Sequence, residues 1–157
     1  MLHDANSEAR ALGEAERALL ARGRFFGALS PAQLERLAAT GRVLAYPQDT
    51  RIYTLGDAVD DFYVLAEGMV RFTLGLGKRE TSAGDIIRRG EVFGWAALVE
   101  GYSRRIATAY CLTPCEVIAL DGARLRALME SDHGAGYLIM KQLAVLLTSE
   151  LTAFAAG

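Results

Sequence analysis

Apolar positions change their spacing twice along this chain, from helical to alternating and back to helical. Over residues 5–22 they recur at helical intervals, with Leu12, Ala15, Leu19 and Arg22 on one side and Asn6 or Ser7 placed to cap the start. Phe25 and Phe26 lead to a second helix. There Ser30 stands at the cap, Pro31 at the first helical position and Gln33 at the third, which is a capping box, and Gly41 stops the helix after Thr40.

After Gly41 the spacing turns to short β-type runs at 42–47, 50–56, 62–68 and 69–74. Val70, Phe72 and Leu74 alternate with Met69, Arg71 and Thr73, as expected where one sheet face is buried. Residues 75–78 read as a hairpin loop, 83–89 lead into a glycine-bounded stretch, and 105–112 and 115–120 give two more strands. About eight short strands suit a closed double-sheet roll. Helix returns in a short segment at 123–130 and a long one from Ser131 or Asp132 to about Phe154. The expectation is an α+β protein: a β-roll, a jelly-roll-like barrel, flanked by N-terminal helices and a long C-terminal helix. One domain over 1–157 holds helices at 5–41, the roll at 42–121 and helices at 123–154.

Composition narrows the function classes. With 157 residues and 52% hydrophobic content the chain can bury a real core. Its net charge of −2 argues against neutralising many nucleic-acid phosphates. The lysines are Lys78 and Lys141, so positive charge is mostly arginine, which favours specific forks over a diffuse patch. No apolar run is long enough for a membrane span, and Met1-Leu2-His3-Asp4 has neither a basic lead nor an apolar signal core, so a soluble cytoplasmic protein is expected. Cys111 and Cys115 lack metal-site spacing and read as small buried core residues. His3 and His133 are isolated, Asp60 and Asp61 read as turn caps, and no nucleophile, base and acid can be assembled. Catalytic residues, metal ligands and enzymatic activity are therefore not expected.

The chemistry concentrates in Gly90-Glu91-Val92-Phe93-Gly94-Trp95-Ala96-Ala97-Leu98, followed by Arg105-Ile106-Ala107-Thr108-Ala109. Glycines bring backbone amides close to a bound oxygen, a short apolar turn leaves donors free, and an arginine offers a planar fork for two phosphate oxygens. The bland alternative for Arg105 is a surface ion pair with Glu91 or Glu100. Arg88, Arg89 and Arg104 read as solvated strand-end charges.

These residues, with Gly56-Asp57, the run from Asp61 to Val70 and Ala97-Leu98, resemble the cyclic-nucleotide-binding domain family, the sensor module of catabolite activators and of nucleotide-regulated kinases and channels. The similarity covers about residues 25–154. The resemblance implies a cyclic phosphate on the amides around Gly94, Trp95 and Ala96, between Phe93 and Ala97, paired with Arg105 and next to Ile106. The ligand would be cAMP, cGMP or another cyclic nucleotide, and no other cofactor is implied. The same resemblance implies a carboxylate for the ribose hydroxyl directly after the second glycine, where this chain has Trp95. An indole donates one N–H and accepts nothing. Trp95 is therefore either a plug, making the domain a ligand-free interaction module, or a stacking wall for a different ligand.

In the last helix Tyr137, Met140, Ala144, Leu147, Leu151 and Phe154 form a heptad seam, while Leu138, Ile139, Leu143, Val145 and Leu146 fill another side. Such a helix suits a homodimer, one face on the roll and one on a partner helix. Thr148 and Ser149 resemble a hydroxyl pair that reaches the purine in catabolite activators, a register that would instead place Leu138, Val145 and Ser149 on the seam. The expected function is a regulatory sensor that passes a helix rearrangement to an effector protein. No helix-turn-helix follows within the chain, so it is not expected to read DNA sequence by itself, nor to bind membranes.

Overall fold

The computed structural model describes residues 8–75 and 77–156, with side chains as far as Leu151. Helices α1 (Glu14–Arg22) and α2 (Pro31–Ala38) precede strands β1 (Gly41–Tyr46), β2 (Arg51–Tyr53), β3 (Asp61–Glu67), β4 (Val70–Leu74), β5 (Thr81–Ile87), β6 (Val92–Phe93), β7 (Thr108–Cys111) and β8 (Cys115–Asp121). Helices α3 (Gly122–Ser131) and α4 (His133–Ala156) close the order. The strands form two four-stranded sheets, β1-β8-β3-β6 and β2-β7-β4-β5, paired antiparallel throughout. The α+β class and the roll are as expected.

The two-residue period of β3 and β8 creates two cores. Phe62 and Val64 of β3, with Ile118 and Leu120 of β8, point outward beneath the helices. Tyr63, Leu65, Val117 and Ala119 point into the roll. Register fixes these pairs, Phe62 opposite Leu120 and Tyr63 opposite Ala119. Both faces of the sheet are covered, which is why these strands read as nearly unbroken apolar runs. In β4 the alternation expected for 69–74 fades along the strand. Val70 is fully buried, but Leu74 is only half covered where its partner is Thr81 in the largely exposed β5.

The first helix departs from the sequence pattern. It begins at Glu14 rather than near residue 5, and Asn6 and Ser7, the expected caps, lie outside the described residues. Gly13 takes the cap position, its N–H donating to the Glu16 carboxylate at 2.7 Å. The preceding chain is diverted because Arg10 exchanges two backbone hydrogen bonds with Val43, at 3.2 and 2.7 Å, and so covers the outer edge of β1. The inward face is Leu12, Glu16 and Leu20, whereas Ala15 and Arg22 are exposed. Burial of Glu16 is tolerated because Arg10 grips it with two bonds of 3.0 Å. The second helix follows its pattern: Ser30 accepts from Gln33 N–H at 3.2 Å, and Gln33 accepts from Ser30 N–H at 2.8 Å. Strands expected at 50–56 and 105–112 shrink to Arg51–Tyr53 and Thr108–Cys111, which leaves Arg105 in a loop.

The Arg10 hydrogen bond, acting against burial, holds the Glu16 carboxyl down to about 2 from 4.5. A depressed folded-state value stabilises the protein fully above the unfolded pKa, and that stability drains away as pH falls from 4.5 towards 2. Urea melts of Glu16→Gln against wild type should show the variant's deficit at pH 7 shrinking across this window.

Candidate ligand-binding site

Strand β6 ends at Phe93, and the chain turns sharply at Gly94 into a 3-10 turn, Trp95–Leu98. Gly94 has a left-handed φ of 81°, and a Cβ there would lie 3.0 Å from the Tyr63 ring and 3.1 Å from Arg105 Nη1. Glycine is thus required twice, for backbone conformation and for the approach of the guanidinium. The turn that follows leaves its leading amides without partners inside the turn, while Ala97 N–H donates back to Gly94 O at 3.2 Å.

Arg105 is brought to this turn by its own backbone. Its N–H donates to Asp57 O and its carbonyl accepts from Gly56 N–H, both at 2.8 Å, so the loop after Leu98 is laced to the Gly56-Asp57 turn. The side chain enters the protein and is only 4% exposed. Nη1 donates to Gly94 O at 3.2 Å and Nη2 to Asp61 O, and the guanidinium carbon sits 4.1 Å from the centre of the Tyr53 ring and 5.7 Å from that of Tyr63. Among the described residues Nε has no hydrogen-bond partner, and no carboxylate pairs with the guanidinium. Glu91 accepts from Arg88 N–H at 2.7 Å, and the Asp61 carboxylate is held by Arg42 in a fork of 3.2 and 3.0 Å. The surface ion pair considered for Arg105 is therefore not formed. Asp61, read as a turn cap, is instead a buried strand residue whose carbonyl faces Arg105 while its carboxylate faces Arg42. Carbonyl dipoles and a ring face offset the desolvation of this buried cation only in part.

Around the guanidinium the roll is lined by rings. Tyr63 and Phe93 stack at 4.9 Å with 13° between planes, and Tyr53 lies 5.8 Å from Tyr63. Burial pushes the Tyr53 hydroxyl up to about 12 and raises Tyr63 further, so both are neutral donors at physiological pH. Trp95 is elsewhere. It packs on the core beneath the helices and meets Tyr102 edge-on at 5.3 Å, so the residues filling the roll beside Arg105 are Tyr53, Tyr63 and Phe93 and not the expected indole. Ala96 and Ala97 are buried, and Ala97 O accepts a hydrogen bond from Arg126 of α3, whereas Ile106 is 54% exposed and turned outward. Arg105 lines neither of two surface hollows of about 450 and 570 Å³, one lined by Asp61 together with Arg42, Asp121 and Arg126, the other by Arg71, Asp85 and Arg88.

Helix α4 touches β5, and Glu150 lies close enough to act electrostatically on the Tyr53 hydroxyl, which sets the last turns near the mouth of the roll. Thr148 and Ser149 are exposed there, Thr148 donating to Ala144 O at 2.7 Å. Ile139 and Leu143 face the core, with Leu147 partly packed on it. Tyr137, Met140, Ala144, Val145 and Leu151 are exposed, and the Phe154 side chain lies outside the described set. Arg88, Arg89 and Arg104 are exposed, and Cys111 and Cys115 are buried free thiols. Sequence reasoning passed over Tyr53, Tyr63 and Asp61. The strand alternation that sends Leu65 inward carries Tyr63 with it and was the available signal. Among the described residues there is no group of three or more His, Cys, Asp or Glu able to hold a metal ion, and no helix long and apolar enough to cross a membrane.

The geometry defines a roll with an arginine and a glycine-bounded turn at its inner wall, and comparison with known proteins places it. A family model described as the cyclic nucleotide-binding domain matches residues 43–132, and the chain belongs to that family. Similar folds include the sensor domain of the transcriptional regulator DNR from Pseudomonas aeruginosa, 18% identical with a TM-score of 0.73, covering 87% of this chain and 91% of that one. The catabolite activator protein of Thermus thermophilus is 27% identical, with a TM-score of 0.69 over 84% of this chain and 60% of its own. PfPKA-R, solved with cAMP bound, is 25% identical, with a TM-score of 0.63 over 73% and 40%. No curated protein sequence matches the chain.

Gly94→Ala should cost about 1–2 kcal/mol for the left-handed backbone, with more from its contacts against Tyr63 and Arg105. Chemical denaturation reads this loss directly, and an unchanged midpoint would show that the turn relaxes without strain.

Proposed function

We propose that this protein is a cytoplasmic, non-enzymatic regulatory module whose roll binds a cyclic nucleotide, or a related anionic nucleotide, through Arg105 and the turn around Gly94 to Ala96. The observation that carries this reading is the buried Arg105 guanidinium, which among the described residues has no counter-ion and an unpartnered Nε. Family membership adds the ligand class, and the cAMP bound to PfPKA-R, a relative of this fold, is an instance of it. A phosphate would replace the carbonyls of Gly94 and Asp61 as acceptors and supply the missing charge. Binding would bias α3 and α4 through the Arg126 bond to Ala97 O, and an effector protein would read their position. DNA reading is not assigned to this chain.

A second reading is supported by the ring cluster. Tyr53, Tyr63 and Phe93 already occupy the space beside Arg105, as they would in a ligand-free module that acts through its helices. Thermal melts separate the two. On the sensor reading, cAMP, cGMP or a cyclic dinucleotide raises Tm, by an amount that follows RT ln(1 + [L]/Kd). Arg105→Lys, which keeps the charge and loses the fork, then weakens binding at least ~10-fold. Indifference to all three at millimolar concentration favours the ligand-free module.

On either reading the exposed stripe of Tyr137, Met140, Ala144 and Leu151 suits a homodimer seam along α4. Light scattering should give a dimer that Tyr137→Glu with Leu151→Glu converts to monomer, and a wild-type monomer at high concentration would refute the seam.

A further inference from the structure

The groups that cover Arg105 differ in how easily they can leave it. Nη1 and Nη2 donate to Gly94 O and Asp61 O, and both carbonyls belong to backbone bonded elsewhere: Gly94 O also accepts from Ala97 N–H, and Asp61 is paired with Asp121 of β8. Tyr63, 5.7 Å from the guanidinium carbon, lies in β3 with β8 on one side and β6 on the other, and its ring stacks on Phe93 at 4.9 Å. Tyr53 comes nearer, its ring centre 4.1 Å from that carbon, and is less secured. It ends β2, a three-residue strand at the edge of its sheet, paired with β7 alone and with its register shifted between Arg51 and Tyr53. Its ring centre is 5.8 Å from Tyr63 and 6.3 Å from Phe93, looser than the stack those two make with each other.

We infer that Tyr53 is a movable cover over the anion contact, its ring and an incoming anion competing for the Arg105 guanidinium. This rests on the sensor reading above and names the residue that sets its affinity. The guanidinium lines neither surface hollow and the residue is 4% exposed, so a group has to move aside before a ligand reaches it. Rotation about the side-chain bonds of Tyr53 moves its ring without opening a strand pair, whereas withdrawing Gly94 O, Asp61 O or Tyr63 takes backbone or a central strand with it. The ring face is also the contact most readily exchanged, because a cation over a ring is held more weakly than a guanidinium hydrogen-bonded to a charged oxygen.

The loops keep their places during this exchange. Gly56 N–H donates to Arg105 O and Arg105 N–H to Asp57 O, both at 2.8 Å, and Leu55 N–H donates to Thr108 Oγ1 at 2.9 Å. These bonds bring the backbones of Tyr53 and Arg105 together and none of them uses the Tyr53 side chain. Tyr53 thus acts as a positioning residue: the share of molecules with the ring in place is the share that cannot take the anion, and apparent affinity falls accordingly.

The first test needs no ligand. The full chain is treated with phenylglyoxal, digested, and its arginines are compared by mass spectrometry. Arg105 should label at least ~10-fold more slowly than the exposed Arg124 in wild type and in Tyr53→Phe, which keeps the ring face, and at least ~5-fold faster in Tyr53→Leu than in wild type. The second test is calorimetric titration with cAMP and cGMP, where Tyr53→Leu should bind at least ~5-fold more tightly than wild type. A third reads the wild type directly: with 3-fluorotyrosine incorporated, the Tyr53 resonance, identified by its loss in Tyr53→Phe, should shift when cAMP saturates the protein, and this does not depend on Tyr53→Leu folding. Equal labelling of Arg105 in wild type and Tyr53→Leu, binding by Tyr53→Leu no tighter than wild type, or an unmoved Tyr53 resonance at saturation would each overturn the cover. If Arg105 is unmasked in Tyr53→Leu but neither protein binds a nucleotide, the cover stands and the sensor reading falls.

Discussion

A buried guanidinium with no opposing charge among the described residues governs this structure. Removing a cation from water costs several kcal/mol even after relaxation, and a carboxylate is the usual remedy. Here the carboxylate of Asp61, whose carbonyl accepts from Arg105, is engaged by Arg42, and Arg105 is left with two backbone carbonyls and the face of Tyr53. Those partners compensate only partly, because a carbonyl dipole falls short of a full negative charge and Nε remains unpaired. The arrangement persists because the chain around it is fixed. Arg105 is laced at its backbone to Gly56 and Asp57, and Gly94 can be approached only because it lacks a side chain.

The same interaction ties separate parts of the roll together. Asp61 serves two arginines from one residue, Arg42 through its carboxylate and Arg105 through its carbonyl, so the start of β3 is tied to β1 and to the loop before β7. The turn after Gly94 is tied in turn to α3 through Arg126 and Ala97 O. Gly122, at the start of α3, packs so tightly that a Cβ would come 2.6 Å from Asp60 O. The turn and the base of the C-terminal helices therefore share neighbours.

Much of this was legible in the chain because burial on both faces leaves an unmistakable signature. β3 and β8 read as apolar runs, the switch from alternating to helical spacing marked the ends of the roll, and the Ser30 to Gln33 box fixed α2. The glycine-bounded turn and Arg105 stood out for their chemistry. What escaped depended on partners distant in sequence. Nothing local to residues 5–13 signals that Arg10 will be drawn onto the edge of β1, and an Ala-rich segment defaults to helix when that pairing is unseen. Asp61 resembled a turn residue because Arg42, its counter-ion, lies on another strand. Trp95 seemed to point inward from its place in the motif, yet the 3-10 turn rotates it towards Tyr102 and the helix-side core. Tyr53 was invisible as a site residue since its role depends only on where Arg105 comes to rest.

A closed pocket need not be a lost one, and the balance of contacts says which way it leans. The rings beside Arg105 are stabilised by their own stacking, so an incoming anion must offset the loss of whatever ring contacts it displaces. It need not displace a salt bridge, which is the costlier obstacle. On the proposed reading, two carbonyl bonds would be exchanged for two charged ones, Nε would gain an acceptor, and no carboxylate would be stranded in the exchange. Had Arg105 been paired with an acid of its own chain, a ligand would have had to leave that acid buried and alone. Because the acid beside it is already satisfied by Arg42, the exchange at Arg105 is confined to groups that can be released without such a penalty.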